Sequence, residues 1–233
     1  MNFNRYQSRF EAGERLAQLI RNEYEELNEL LTQDKNIFFC YAIPNGGIPV
    51  AEGFSKSFNL NYDFLIVRKV KIPFNTEAGF GSVTTDGSVL INEPLLNRLH
   101  LTEREINNAI ELTKQEIKQR LEFYKKEGNL EEGFTRNIQG KHVFMIDDGL
   151  ASGFTMLAAI KMVKNYKPLK IYIAVPTAPQ STVQRIENEV DEIICPNIRN
   201  VWRFAVAEAY LHWYDVPESE VLELIKNSNY YCP

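Results

Sequence analysis

His142-Val143-Phe144-Met145-Ile146-Asp147-Asp148-Gly149-Leu150-Ala151-Ser152-Gly153-Phe154-Thr155-Met156 is the stretch from which the architecture can be read. Val143 to Ile146 is a short apolar run of the kind that forms a strand buried on both faces of a parallel sheet. An acid pair falls at its carboxyl end, and Ser-Gly-Phe-Thr then leads into the helix-like run TMLAAIKMVK. Ligands of open α/β sheets bind at the carboxyl ends of strands, so the acids and the loop should face one crevice. A Ser/Gly/Thr loop that opens a helix presents backbone N–H groups, two hydroxyls and the positive end of a helix dipole, all suited to a phosphate. Asp147 and Asp148 would repel phosphate, but they can accept hydrogen bonds from sugar hydroxyls or hold a divalent cation. Taken separately, an acid pair that ends a strand and a Ser152 or Thr155 that caps a helix are ordinary structural features. Joined on one strand-loop-helix unit, they describe a ligand with a phosphate at one end and a diol in the middle.

Working outward, Ile37 to Ile43, Phe64 to Val67 and Ile171 to Val175 repeat the apolar strand pattern, and helix-like stretches lie near 49–58, 155–165 and 180–190. Strands alternating with helices predict an α/β fold with a doubly wound, mostly parallel sheet. Leu16, Leu19, Ile20, Leu27 and Leu31 recur at helical steps and predict one amphipathic helix that covers the core. Two segments interrupt the alternation. Asp86-Gly87 between β-prone arms predicts a hairpin over 83–91. Thr102 with Glu105 forms a capping box, and Ile106, Ile110, Ile117, Leu121 and Tyr124 make a narrow stripe through a charged stretch to about Lys126. That stripe fits a long helix packed along the domain or against a second copy in a homodimer; an exposed insertion with no function of its own fits as well. The expected organisation is a single domain over 1–233, with an insertion at about 71–128 and an aromatic-rich hood at about 197–233.

Composition narrows the function. The chain has 233 residues, 44% of them hydrophobic and 24% charged, which supports a sizeable core. Lys plus Arg is 26 against 31 acids, a net charge of −5, so no whole-molecule positive field draws nucleic acid or anionic lipid. Cys40, Cys195 and Cys232 show no CxxC spacing, and the start, MNFNRYQSRFEAGERL, is polar. The expectation is a cytoplasmic protein with neither a disulfide framework nor a membrane span. His100, His142 and His212 have no metal-ligand spacing, and with Cys195 they read as structural.

The central unit resembles the signature of type I phosphoribosyltransferases: an apolar strand, two acids, a short gap and Thr-Gly-x-Thr, with Ser152 in place of the first Thr. Glu11 to Ala17 (EAGERLA), Ile43 to Ala51, Val67-Arg68-Lys69, Ile91-Asn92-Glu93 and Val175-Pro176 further resemble a subgroup of bacterial and archaeal members. The resemblance implies phosphoribosyl pyrophosphate as donor, with Ala151, Ser152, Gly153, Phe154 and Thr155 on its 5-phosphate and Asp147 and Asp148 on the ribose hydroxyls. It places pyrophosphate on Asn45, Gly46, Gly47, Arg68 and Lys69, with Lys69 joining the two acids as catalytic residues. Relatives of the subgroup usually carry Arg where this chain has Asn45, which removes a cation. The diglycine also suits close approach of backbone to a ligand, independently of any family. Residues 71–92 take the place of the family's flexible catalytic loop. Ala151 stands where members acting on 6-oxopurines place an acid, so hypoxanthine and guanine are disfavoured. Trp202 and Phe204 are candidate stacking platforms for a base, set against ordinary core packing.

The expected activity is magnesium-dependent transfer of phosphoribosyl to a nitrogen nucleophile, of nucleobase type, with release of pyrophosphate. Mg2+ would be held mainly by ligand oxygens, with Asp147 or Asp148 as protein ligand. The alternative is a non-catalytic regulator or sensor of the same donor. A receiver-like phosphoacceptor would use the acid pair but leave the Ser152–Thr155 and diglycine loops idle.

Overall fold

A computed structural model describes residues 3–126 and 128–232. The amino-terminal stripe forms two helices where one was expected, α1 (Arg9–Glu23) and α2 (Glu25–Gln33), because Tyr24 leaves helical space at φ −121, ψ 67. Ser8 caps α1 by accepting the Glu11 N–H at 3.1 Å. Leu16, Ile20, Leu27 and Leu31 are all buried, so the stripe does its expected work across the break. β1 (Phe38–Ala42) is buried at every position and is followed by α3 (Gly47–Phe58). The backbones of α1 and α3 nearly touch: a Cβ on Gly13 would lie 2.0 Å from the Val50 carbonyl oxygen, and one on Gly53 2.1 Å from that of Phe10.

β2 (Tyr62–Phe64) is displaced from the strand expected at 64–67. Leu65 still donates to the Ala42 carbonyl, but the Ile66 N–H is taken by the Thr85 hydroxyl at 2.7 Å, which donates back to the Ile66 carbonyl at 3.1 Å. That exchange turns the chain out of the parallel sheet into β3 (Val67–Ile72), which pairs antiparallel with β4 (Asn75–Thr84), itself paired with β5 (Val89–Ile91). Arg68 and Lys69 therefore lie in the antiparallel sheet, not at the end of a parallel strand. The Asp86-Gly87 hairpin forms as expected, with Asp86 accepting from the Thr84 hydroxyl and the Ser88 N–H. Much of 71–92 is thus paired strand. After α4 (Glu93–Leu99), α5 (Glu103–Phe123) opens with the full Thr102/Glu105 capping box and lays its apolar edge on β3 and β4.

After α6 (Leu130–Ile138) come β6 (His142–Ile146), α7 (Phe154–Asn165), β7 (Lys170–Ala174), β8 (Thr177–Pro179), α8 (Gln180–Ile186), β9 (Glu192–Ile194), β10 (Asn197–Arg199) and α9 (Glu218–Asn227). The central sheet is parallel in the order β2-β1-β6-β7-β9, while β8 and β10 form a separate parallel pair. Side chains alternate between two cores. Phe38, Cys40 and Phe144 face the side of α1 and α3, and Phe39, Tyr41 and Met145 face the side of α7. This two-sided burial is why the strands read as continuous apolar runs. The free edge of β2 is covered by the carboxyl-terminal tail, through Tyr62 N–H to Tyr230 O and Cys232 N–H to Tyr62 O. Among the described residues no helix is long and apolar enough to cross a membrane, and the three cysteines are free thiols.

The α1/α3 crossing and Gly133 of α6 offer opposite glycine tests. Gly13→Val should destabilise the protein by about 1–3 kcal/mol, since the added atoms meet backbone that cannot yield. Gly133→Ala, where a Cβ meets nothing within 4 Å, should instead stabilise by up to about 1 kcal/mol through helix propensity. Urea unfolding of the two variants reads both signs.

Candidate functional site

Strand order reverses between β1 and β6, so the crevice outside their carboxyl ends is the expected ligand position. Ile43 N–H donates to Ile146 O at 2.8 Å and holds the two strand ends together. The loop after β1, which contains a cis Pro44–Asn45 peptide, then lies directly on the acid pair. A Cβ on Gly46 would sit 1.9 Å from Asp148 Oδ2, and one on Gly47 3.1 Å from Asp147 Cα. Only glycine allows that approach. The diglycine and acid-pair motifs, far apart in sequence, are thus in contact.

The two acids have different surroundings. Asp148 Oδ2 accepts from Arg9 Nε at 2.8 Å, with side chains only 6% (Arg9) and 16% (Asp148) exposed. The Arg9 guanidinium in turn stands 4.1 Å from the Trp213 ring centre, 5.4 Å from that of Tyr214 and 5.5 Å from that of Tyr210. Tyr210 donates its hydroxyl to the Asp148 carbonyl at 2.7 Å. Asp147 Oδ1 accepts the Asp148 N–H at 2.8 Å. Burial raises the Asp147 carboxyl well above the ordinary carboxylate range, and the neighbouring Asp148 charge raises it further. Burial raises Asp148 too, with Arg9 pulling it back down.

The Ala151–Thr155 loop is oriented from behind by α8. Thr182 Oγ1 donates to Ala151 O at 2.6 Å and Arg185 Nη1 to Ser152 O at 2.8 Å. Gly153 adopts φ +74 and precedes α7, and a Cβ there would strike Thr182 and Ile186 at 2.6 Å. The first intrahelical bond is Leu157 N–H to Gly153 O, so Thr155 and Met156 have no carbonyl partner within the helix. Ala151, Ser152 and Thr155 are exposed, and Phe154 is half-buried. The loop is built as a backbone cradle open to solvent.

Asn45 is fully engaged. Its Nδ2 donates to Val216 O at 2.7 Å, and its Oδ1 accepts from Arg120 Nη2 at 2.6 Å and the Tyr124 hydroxyl at 3.1 Å. Arg68 is half-buried and Lys69 exposed on β3. Arg68 borders the same cavity of about 570 Å3 as Arg9, Asn45, Gly46 and Asp148, whereas Lys69 borders a neighbouring one of about 460 Å3. Trp202 is 98% exposed, and Phe204 lies beneath Arg199. The aromatic ring that borders the acids' cavity is Trp213. Sequence reasoning missed Arg9, Arg120, Trp213 and Glu218. The aromatic density of the hood flagged Trp213's segment, while single charges in polar helices carry no signal. A further cavity of about 500 Å3, lined by His142, Lys170 and Asp191 among others, lies at the opposite, amino end of β6 and β7. His142 there is bonded to the Tyr172 hydroxyl at 3.0 Å, in keeping with a structural role.

Comparison with known proteins gives the family and the fold. A phosphoribosyl transferase domain model matches residues 7–209. A Mycobacterium tuberculosis protein named "Putative phosphoribosyl transferase" is 28% identical over 188 residues, covering 80% of this chain and 41% of that protein. The chain thus spans less than half the length of the curated relatives it matches first. A uracil phosphoribosyltransferase of Mycoplasma genitalium is 43% identical over 58 residues, which is 24% of this chain and 28% of that one. The crystal structure of TT1426 from Thermus thermophilus shares the fold at TM-score 0.72 and 23% identity, covering 95% of this chain and 97% of that one.

The raised carboxyl of Asp147 has a consequence for stability. The folded state binds that proton more tightly than the unfolded chain, so its ionisation costs stability as pH rises from about 4 through the raised value. Asp147→Asn should therefore melt higher than wild type at pH 8, by roughly 2–4 °C, the shift that about 1 kcal/mol gives in a chain of this size. At pH 4 the two should nearly coincide. Thermal unfolding followed by circular dichroism across this range measures the difference, and a lower Tm for the variant at pH 8 would contradict it.

Proposed function

The chain belongs to the phosphoribosyl transferase family, and on that premise we propose that it moves a phosphoribosyl group from phosphoribosyl pyrophosphate to a ring nitrogen of a nucleobase, releasing pyrophosphate. The observation that carries the reading is the meeting, at one switch point, of the Ser152–Thr155 cradle, the acid pair and the diglycine loop. In this reading the cradle holds the 5-phosphate through backbone N–H groups and the dipole of α7. Asp147 accepts hydrogen bonds from the ribose hydroxyls. Asp148, fixed by Arg9, keeps the diglycine loop and the strand end in register. The backbone of Gly46 and Gly47, with Arg68 and Lys69, receives the diphosphate. As the bond from the anomeric carbon to pyrophosphate oxygen breaks and the bond to nitrogen forms, positive charge grows on the sugar and negative charge on the leaving group. Carboxylates beneath the first and cations beside the second stabilise that separation, so positioning and electrostatics do most of the work.

Among the described residues no group of three or more His, Cys, Asp or Glu could hold a metal ion. The acid pair suits a hard cation that brings most of its shell from phosphate and water, with Asp147 as the protein ligand because Asp148 is committed to Arg9. Magnesium held this way would neutralise charge on the departing diphosphate.

Ala151 offers no proton to a 6-oxopurine, and the local match to a uracil enzyme adds a pyrimidine to the acceptors worth testing. One observation favours the sensor reading: the Asn45 side chain is held by protein partners at both its oxygen and its nitrogen and offers no cation of its own. Pyrophosphate release in the presence of Mg2+ and a panel of adenine, guanine, hypoxanthine and uracil separates the two, since a sensor binds the donor without consuming it. The expected result is release with adenine or uracil.

The cradle itself is tested by two substitutions. Gly153→Val, which is disfavoured at φ +74 and clashes with α8, should abolish binding of both ribose 5-phosphate and phosphoribosyl pyrophosphate. Ser152→Thr keeps the hydroxyl and should change affinity less than about threefold. A folded Gly153→Val that binds ribose 5-phosphate as wild type would place the phosphate elsewhere.

A further inference from the structure

Two arginines from different elements meet above the diglycine loop. Arg68 of β3 and Arg120 of α5 border both the cavity over Asp148 and the neighbouring cavity toward α5, and Glu218 borders both as well. Arg68 Nε is buried with no hydrogen-bond partner. Burial and the charge of Arg120 pull the Arg68 guanidinium below its ordinary range, with Glu116 and Glu218 acting in the opposite direction, so the two cations and these carboxylates share one field. Arg120 is 11% exposed, yet its partners are makeshift. Nη2 donates to two neutral groups, the amide oxygen of Asn45 and, at 3.3 Å, the Tyr124 hydroxyl, and Nε lies 2.7 Å from Glu218 Oε1, in an ion pair misaligned for a hydrogen bond. Glu218, at the start of α9, is 40% exposed. Like charges brought together at a cavity wall are unfavourable unless an anion bridges them, and a diphosphate with several charged oxygens bridges two guanidinium forks better than one carboxylate does.

We propose that Arg68 and Arg120 together seat the diphosphate end of the donor, and that Glu218 is an internal carboxylate which holds this seat in the free protein and is displaced when diphosphate binds. The assignment rests on the donor proposed above, and it adds a residue from the long helix and a competitor from the carboxyl-terminal helix. Glu218 thereby sets a threshold: a monophosphate gains too little to displace it, while a diphosphate gains from both forks.

The full chain is titrated calorimetrically with inorganic pyrophosphate and with ribose 5-phosphate, each with Mg2+. Arg120→Met should weaken pyrophosphate at least tenfold, and Arg120→Lys, which keeps a point charge, by less. Glu218→Gln should tighten pyrophosphate about threefold to tenfold, because the competitor loses its charge. Both Arg120→Met and Glu218→Gln should leave ribose 5-phosphate within twofold of wild type. Unchanged pyrophosphate affinity in Arg120→Met, or unchanged or weaker affinity in Glu218→Gln, overturns the proposal, as does a wild type that does not bind pyrophosphate. Glu218→Gln buries no new charge and stays informative even if Arg120→Met fails to fold. A wild type that binds pyrophosphate with the expected variant pattern but not ribose 5-phosphate would instead overturn the donor assignment and leave the anion seat intact.

Discussion

Arg9, enclosed by Tyr210, Trp213 and Tyr214 and bonded to Asp148, joins three parts of the chain that share no sequence neighbourhood. Burying a guanidinium and a carboxylate costs desolvation energy, which good geometry and the faces of aromatic rings offset. Removing either partner strands the other, a loss of about 3–5 kcal/mol for a buried pair against at most about 1 kcal/mol for an exposed one such as Lys164–Glu189. The pair therefore does more than stabilise. It fixes where α1 meets the end of β6, and through Tyr210 and the backbone bonds Tyr6 N–H to Ala209 O and Leu211 N–H to Tyr6 O it fixes where the aromatic hood begins.

From that anchor the close approaches follow. Asp148 can turn to Arg9 only because Gly46 has no side chain in the way, and α1 can bring Arg9 so near only because Gly13 and Gly53 let the helix backbones touch. Contacts of this kind fix the acid pair against the diglycine loop. The rest of the cavity wall is joined differently. Asn45, Arg120 and Glu218 are linked by hydrogen bonds and an ion pair at a cavity wall, and they lie on a loop, an inserted helix and the carboxyl-terminal helix.

The central strands and the turn into α7 were legible because each carries a local signal: two-sided burial makes a strand apolar throughout, and a tight turn at φ +74 into a helix demands glycine among small residues. The boundary between β2 and β3 was not legible, since Leu65 and Ile66 are apolar whether they continue a sheet or turn out of it, and the deciding partner, Thr85, lies on the hairpin. Tyr24 likewise breaks α1 from α2 without Gly or Pro to mark the place. Arg120 falls on the buried edge of α5, between Thr113 and Tyr124, but in so charged a stretch one more arginine reads as solvated surface, and its meaning comes only from Asn45 and Glu218. The hood shows the same limit: aromatic density identified the segment, but whether Trp202 or Trp213 turns toward the acids depends on Arg9.

Net charge misleads in the same way, because function depends on where charges lie. The chain carries −5 overall, yet Arg9, Arg68, Lys69, Lys71 and Arg120 line the cavities at the carboxyl ends of β1 and β6, interleaved with Glu116, Asp148, Asp215 and Glu218. Glu23, Glu25, Glu26, Asp191 and Glu192 gather around the cavity at the opposite end. Acids thus dominate at the amino ends of the strands, while cations and acids nearly balance at the carboxyl ends, where the amino-terminal dipole of α7 adds positive charge. Beyond roughly a Debye length of ~8–10 Å the acids of the amino end are screened, so the charges that a small anion meets at the carboxyl end are those of the local cluster. A negative net charge is therefore compatible with an anion-sized cluster of guanidinium and ammonium groups at one end of the sheet.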